Sequence, residues 1–99
     1  MLTIIWRFRA RAGHEAEFER AYGAQGDWVR LFRTAPGYLG SELWKDTTGS
    51  GAYLTIDRWN SESAYHAFRQ GAGDAYQQLD RRCADLTETE EEIGTILRE

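Results

Sequence analysis

Aromatic side chains are the most distinctive chemical groups in this 99-residue chain, which contains four Trp, five Tyr and four Phe. A large ring buries about 150–250 Å² and can stack on a flat ligand, so a small domain this rich in rings packs a tight core, lines a pocket or forms an interface. Five rings are expected to converge between a sheet and its helices: Trp6, Tyr22, Trp28, Phe68 and Tyr76. We predict that they line a pocket for a flat molecule. The alternative is that they fill an ordinary core, as rings at helical spacing usually do.

Other residues that could catalyse a reaction or bind a metal are few. Two histidines, His14 and His66, are too few to suggest a structural metal site, and no Ser-His-Asp or Cys-His arrangement is evident. The glycine segments 23–26 and 71–73 do not follow a strand and open a helix, as a phosphate-binding loop does. Cys83 falls on an apolar helical stripe and is predicted to be a core residue.

Composition excludes several classes of protein. The formal net charge is -4 and the basic residues are scattered, which excludes the basic face that nucleic-acid binding needs. No apolar run approaches the roughly 20 residues of a transmembrane helix, and the N-terminus does not resemble a signal peptide. A single cysteine cannot form an intrachain disulfide, so we expect a cytoplasmic protein. A chain of this length is expected to form one domain over residues 1–99.

Hydrophobic periodicity and turn residues predict the elements that must position these rings. Strands are predicted over residues 2–9, 38–46, 52–59 and 95–98. Helices are predicted over residues 15–22 and 28–34. A long helix is predicted to follow the N-cap Ser61, with an apolar stripe from Tyr65 to Leu86. A short helix is predicted over residues 88–93, because Thr87 and Glu90 match a capping box. The order is that of a ferredoxin-like α+β domain, an antiparallel four-stranded sheet with its helices on one face.

Glycines interrupt both principal helices of this pattern, at Gly23 and Gly26 and again at Gly71 and Gly73. A glycine in a helix interior costs about 1 kcal/mol relative to alanine, so each site should break or bend its helix. Broken helices cover a sheet less continuously. The interruptions therefore favour a gap beside the aromatic residues.

The face of the sheet without helices should be an interface. Leu2, Ile4, Trp6 and Phe8 are expected to face the helices, as are Ala52, Leu54 and Ile56 of the third strand. The opposite face would then carry Ile5, Arg7, Tyr53, Asp57 and Trp59. Arg7 and Asp57 could form an ion pair there after burial, and we predict a homodimer through this face.

Two segments carry a resemblance to a known family. The strand Met1–Gly13 followed by an acidic helix, and Tyr53–Ala64, a strand that ends in Trp59 before Ser61 and a helix, resemble the antibiotic biosynthesis monooxygenase family. The likeness covers nearly the whole chain, and its motifs are mostly structural. It implies a dimeric α+β barrel. The family includes cofactor-independent oxygenases of quinols and polyketide aromatics, haem-degrading enzymes and many members with no known activity.

The same resemblance argues against haem. The haem-degrading members use an Asn, Trp and His triad, and the matching positions here are Trp6, Phe68 and Gln78. None of the three matches, and Trp6 would occupy space that the haem needs. We therefore expect no cofactor.

The oxygenase branch of the family implies a specific task for the pocket. Oxygen reacts slowly with closed-shell molecules, so the substrate must be ionised, and ionising a phenol of pKa about 10 at neutral pH costs roughly 4 kcal/mol. On this interpretation Arg58 stabilises the anion, Tyr76 donates a hydrogen bond, and Trp6, Tyr22, Trp28 and Phe68 bind an aromatic, quinol or polyketide-type substrate. Two alternatives stay open: Arg58 is a solvated strand-end residue, and the protein is a non-catalytic dimer that binds a small ligand.

Overall fold

Residues 1–98, the part of the chain that the computed structural model describes, form four strands and three α-helices in the order β-α-α-β-β-α-β. The strands are β1 (Leu2–Ala10), β2 (Tyr38–Lys45), β3 (Ala52–Trp59) and β4 (Thr87–Leu97). The helices are α1 (Glu15–Tyr22), α2 (Asp27–Phe32) and α3 (Glu62–Cys83), and a 3-10 turn over Ala84–Leu86 leads into β4. The sheet is antiparallel with the order β2-β3-β1-β4, which confirms the ferredoxin-like α+β prediction.

Strand register decides which side chains face the helices. Residues directly opposite each other in an antiparallel pair point to the same face of the sheet. On β1 the predicted face is confirmed, because Leu2, Ile4 and Phe8 are buried. Their partners on β3 are Trp59, Asp57 and Tyr53 in the same order, and these residues must therefore face the helices too.

The prediction for the two faces of β3 is therefore wrong. Tyr53 is 2% exposed and Trp59 0% exposed, whereas Leu54, which was expected in the core, is 37% exposed. A shift of one residue moves every side chain of a strand to the other face. The aliphatic residues of β3 favoured one face by hydropathy, but the larger rings of Tyr53 and Trp59 bury more area and occupy the core.

The predicted helix over residues 88–93 is also wrong. Thr87–Leu97 is one continuous strand that pairs with β1 from Ala10 back to Leu2, with a bulge opposite Ile5 and Trp6. Without it, one edge of the central strand β1 would leave its backbone N–H and C=O groups unpaired. This long-range pairing overrides the local capping-box signal at Thr87. The predicted strand at 95–98 overlaps the end of β4.

The two glycine interruptions have different outcomes. Gly23 and Gly26 do separate α1 from α2, and a Cβ on Gly26 would lie 2.4 Å from the carbonyl oxygens of Arg20 and Ala21. Gly71 and Gly73 do not interrupt α3, which is continuous from Glu62 to Cys83. Its predicted cap is confirmed, because the Ser61 hydroxyl accepts a hydrogen bond from the Ala64 N–H at 3.1 Å.

The core lies between the sheet and the helices and consists largely of rings. One cluster is built around Trp59 and Phe68, whose centroids lie 5.0 Å apart, and a second around Phe18 and Tyr53 at 4.5 Å. Trp6 and Tyr22 pack against both clusters. None of the helices described in residues 1–98 is long and apolar enough to cross a membrane.

Candidate functional site

A cavity opens between the helix-facing side of the sheet and the three helices. Its interior volume is about 70 Å³, and it opens to solvent at its mouth. Most of its wall is apolar or aromatic, formed by Trp6, Phe8, Tyr22, Trp28, Val29, Phe32 and Tyr76. The polar lining residues are Ser41, Thr55, Asp57, Asp80 and Glu90.

Ring contacts hold the aromatic wall in place. Trp28 of α2 meets Tyr76 of α3 edge-on with centroids 5.1 Å apart, and it lies 6.0 Å from Tyr22 of α1. On the sheet side Trp6 stacks beside Phe8 at 6.1 Å and 21°. The wall is thus assembled from one ring each of α1 and α3, two of α2 and two of β1, an arrangement suited to a flat ligand.

Asp57 is the buried acid of this cavity. Its Oδ1 accepts a hydrogen bond from the Ser41 hydroxyl at 2.5 Å, and the Ser41 oxygen lies 2.6 Å from the Tyr38 hydroxyl. Register explains the placement, because Asp57 lies between Ile4 of β1 and Ser41 of β2 and shares their face. Burial raises the pKa of Asp57 to about 6, and the hydrogen bond from Ser41 partly opposes the rise.

This carboxylate has the properties of a general base. With a pKa of about 6 it is mostly ionised at neutral pH, yet it binds a proton more tightly than an ordinary aspartate. The Ser41 hydroxyl donates to Oδ1, and Oδ2 accepts no hydrogen bond from any other group within residues 1–98. Oδ2 is therefore free to accept a proton from a ligand.

Two further acids, Asp80 and Glu90, line the cavity. Glu90 is opposite Phe8 on β1, whereas Asp57 is opposite Ile4, so the two are about 13 Å apart along the strands and about 10 Å apart across them. Burial and the nearby charge of Asp80 raise the pKa of Glu90. Both residues are exposed on the surface of the protein. The cavity therefore has acids at both ends.

Tyr76 is the phenol of the wall and stands beside a cation. The Arg69 guanidinium lies 3.9 Å from the centre of its ring, and it also donates a hydrogen bond to the Tyr65 hydroxyl at 3.0 Å. Burial raises the pKa of Tyr76 to about 12, with Arg69 opposing the rise. Tyr76 is therefore protonated at neutral pH and can donate a hydrogen bond.

The structure brings together four of the six predicted site residues. Trp6, Tyr22, Trp28 and Tyr76 line the cavity. Phe68 does not, because it packs in the core against Trp59 and Phe32 and is 5% exposed.

Arg58 lies on the other side of the sheet from the cavity. In the register it is opposite Thr3 of β1, so it shares the uncovered face. There its Nη1 donates to Glu42 Oε1 at 2.5 Å. Arg58 therefore cannot stabilise an anion in this cavity as predicted, because the residues of β3 that face the helices are the opposite set to the predicted one.

The same reversal changes the predicted interface. Asp57 is in the cavity and cannot pair with Arg7, which instead contacts Glu91 at 3.0 Å on the uncovered face. Tyr53 and Trp59 are in the core. Of the predicted set, Ile5 and Arg7 remain on the uncovered face, together with Leu54 and Ile56.

Sequence reasoning missed Asp57, Ser41 and Glu90 as cavity residues. The large rings at positions 53 and 59 were an available signal, because they have the same strand parity as Asp57 and favour burial of that face. Glu90 had no such signal, since the capping box placed it on a helix.

Comparisons with known proteins agree with this architecture. The model of the family described as antibiotic biosynthesis monooxygenase matches residues 1–82. No curated protein matches the chain by sequence.

Solved structures share the fold at low identity. SnoaB, a cofactor-independent oxygenase from Streptomyces nogalater, aligns with a TM-score of 0.73 at 20% identity over 99% of this chain and 92% of its own. PA3566 from Pseudomonas aeruginosa aligns with a TM-score of 0.71 at 21% identity, over 99% of this chain and 93% of its own. Rv0793 from Mycobacterium tuberculosis aligns with a TM-score of 0.69 at 17% identity, over 99% of this chain and 96% of its own. With a family model that spans most of its length, this chain belongs to the antibiotic biosynthesis monooxygenase family.

Proposed function

We propose that this protein is a cofactor-independent monooxygenase of a hydroxylated aromatic molecule of the quinol or polyketide type, with Asp57 as its general base. The observation that carries the proposal is a partly buried carboxylate, hydrogen-bonded through one oxygen only, inside an aromatic-walled cavity. Family membership adds support, as does the similarity to SnoaB.

The position of Asp57 reduces the cost of ionising the substrate. Transfer of a proton from a phenol of pKa about 10 to an ordinary aspartate costs about 8 kcal/mol, at 1.36 kcal/mol for each pK unit. With a pKa of about 6 at Asp57 the same transfer costs about 5 kcal/mol. A hydrogen bond from Tyr76 to the phenolate oxygen would lower that cost further.

The reaction begins when Asp57 accepts the proton of an aromatic hydroxyl and the phenolate transfers an electron to O2. Recombination of the substrate radical with superoxide forms a bond from oxygen to a ring carbon that bears hydrogen, ortho or para to the phenolate oxygen, and the peroxide takes the proton from Asp57. Asp57 then removes the hydrogen on that carbon as a proton, the O–O bond breaks, and the departing hydroxide leaves with this proton as water. A phenol and O2 thus become a quinone and water.

The test is oxygen uptake with a panel of hydroquinones, polyphenols and anthrone, using ¹⁸O2 to detect one labelled oxygen in the quinone. Loss of a general base typically lowers the rate by about 10²–10⁴-fold, which we expect for Asp57→Asn. The matched variant Asp80→Asn, the same change elsewhere in the cavity lining, should lose far less. Equal rates for Asp57→Asn and wild type would contradict the role of Asp57.

The second candidate is a ligand-binding protein without catalysis. It is favoured by the cavity lining, because none of the lining residues in the described part of the chain is a Lys, Arg or His that could stabilise a phenolate. Binding of flat aromatics with no oxygen uptake on any member of the panel would support it over the first.

We also propose a homodimer formed through the uncovered face of the sheet. Trp44, 57% exposed, lies beside Leu54, and Ile5 lies opposite Ile56 on the same face. Such a row of apolar groups is stabilised by covering it, and a second copy offers a matching row. A cytoplasmic location stays a prediction from the sequence.

A further inference from the structure

We infer that the cavity selects an aromatic ligand that presents a hydroxyl to Asp57 and carries no carboxylate. This inference rests on the proposed function for the choice of a hydroxylated aromatic. The selection itself is argued from the charges of the cavity and applies to binding whether or not a reaction follows.

The cavity lining has charge of one sign only. Among residues 1–98 its acids are Asp57, Asp80 and Glu90, and no Lys, Arg or His lines it. Arg69 lies 3.9 Å from the ring centre of the lining residue Tyr76, but its guanidinium is also bonded to the Tyr65 hydroxyl, and Arg69 itself does not line the cavity. A carboxylate on the ligand would enter without a partner and would lie near acids.

Asp57 makes this penalty larger than the exposed acids could. Charges at the surface are screened by water and salt, whereas a charge among rings is screened far less. Asp80 and Glu90 are exposed, but Asp57 is partly buried in a cavity whose wall includes the rings of Trp6 and Trp28. Repulsion of an anionic ligand should therefore come chiefly from Asp57.

A hydroxyl has the opposite relation to the same atoms. Oδ1 of Asp57 is occupied by Ser41, while Oδ2 is an acceptor without a recorded partner in residues 1–98. A ligand hydroxyl can donate to it, and hydrogen bonds to an ionised acceptor are the stronger kind. The same carboxylate thus attracts a phenol and repels an aromatic acid of the same shape.

The test compares 1-naphthol with 1-naphthoate, two flat molecules of similar shape, under anaerobic conditions at pH 7.5. Affinity is measured by calorimetry and by quenching of tryptophan fluorescence. We expect wild type to bind 1-naphthol at least tenfold more tightly than 1-naphthoate. Asp57→Asn should bring the ratio close to one, because the amide is neutral and can donate to a carboxylate. The control Glu62→Gln removes one charge at an exposed residue outside the cavity and should keep the wild-type ratio.

Equal affinity for both probes, tighter binding of 1-naphthoate, or no binding of either at millimolar concentration would overturn the inference. An unchanged ratio in Asp57→Asn would overturn the assignment to Asp57. If that variant does not fold, Glu90→Gln is used instead. We expect it to reduce the ratio of 1-naphthol to 1-naphthoate affinity by a smaller amount. An unchanged ratio in this variant would contradict the inference. Since oxygen is absent, failure of the proposed oxygenase reaction cannot produce any of these results.

Discussion

The substitution Ser41→Ala tests the electrostatic account of the cavity most directly. It removes the only hydrogen bond recorded to Asp57 within residues 1–98, the 2.5 Å contact to Oδ1. Burial of the carboxylate should change little, since alanine is smaller than serine by one oxygen. The charged form of Asp57 thus loses a stabilising contact while its desolvation is kept.

The magnitude follows from the strength of this kind of bond. A hydrogen bond to a charged group contributes about 1.5–3 kcal/mol, which corresponds to about 1–2 pK units. The pKa of Asp57, about 6 in wild type, should therefore rise by that amount in Ser41→Ala. At pH 7 the fraction of Asp57 that is ionised would fall from nine-tenths to about half or less.

The raised pKa of Asp57 also makes the free energy of unfolding depend on pH. Because the folded pKa of Asp57 lies above the unfolded value, its contribution to stability is fully present below about pH 4 and is lost as the pH rises through about 6. In Ser41→Ala the loss continues to a higher pH and is larger by about 1.5–3 kcal/mol once Asp57 is ionised.

The assay is a ¹³C NMR titration of the Asp57 carboxyl carbon, with denaturant unfolding between pH 4 and pH 8.5 beside it. Tyr38→Phe is the matched control, because it removes the hydroxyl at 2.6 Å from Ser41 and leaves the Ser41 donor to Asp57. Its pKa at Asp57 should stay closer to the wild-type value. A titration of Asp57 in Ser41→Ala at or below the wild-type pKa would refute the reasoning.

Three further predictions concern the core, the interface and haem. Phe68→Ala should lower the free energy of unfolding by about 3–5 kcal/mol, because Phe68 packs on Trp59. Its affinity for 1-naphthol should change little, because Phe68 does not line the cavity. A loss of affinity without a loss of stability would show that Phe68 contacts the ligand. Leu54→Asp should be a monomer in light scattering at micromolar concentration. The control Leu97→Asp, which changes an exposed residue on the other face of the sheet, should stay dimeric. A monomeric wild-type protein would contradict the proposed interface. Haem added to the protein should give no stoichiometric, sharply shifted Soret band, since the cavity lining contains no histidine; a tight one-to-one complex would contradict this.

The local pattern of the sequence was sufficient for most elements and for the fold class. Period-two alternation located β1, and the turn-rich segment 47–51 located the β2–β3 hairpin. Ser61 located the start of α3, and Gly23 and Gly26 located the break between α1 and α2. These signals are short-range, because caps, turns and strand alternation act within a few residues.

The sequence also identified four of the six rings in the cavity wall. Trp6, Tyr22, Trp28 and Tyr76 were recognised as large rings on the apolar sides of their elements, and each of them lines the cavity. Helical and strand periodicity is enough for this, since a ring on the covered face of a two-layer domain has only the space between the layers to occupy.

Only the tertiary structure decided what chemistry the wall surrounds. β3 offered two alternating faces, and pairing of Ile4 with Asp57 and of Thr3 with Arg58 sent the acid into the cavity and the cation to the outer face. The capping box at Thr87 predicted a helix until β1 supplied a partner strand, which brought Glu90 to the cavity. Register and strand pairing are long-range properties, and a difference of one residue in register exchanges the two faces of a strand. The rings could therefore be found from the sequence, whereas the general base we propose depended on how the strands pair.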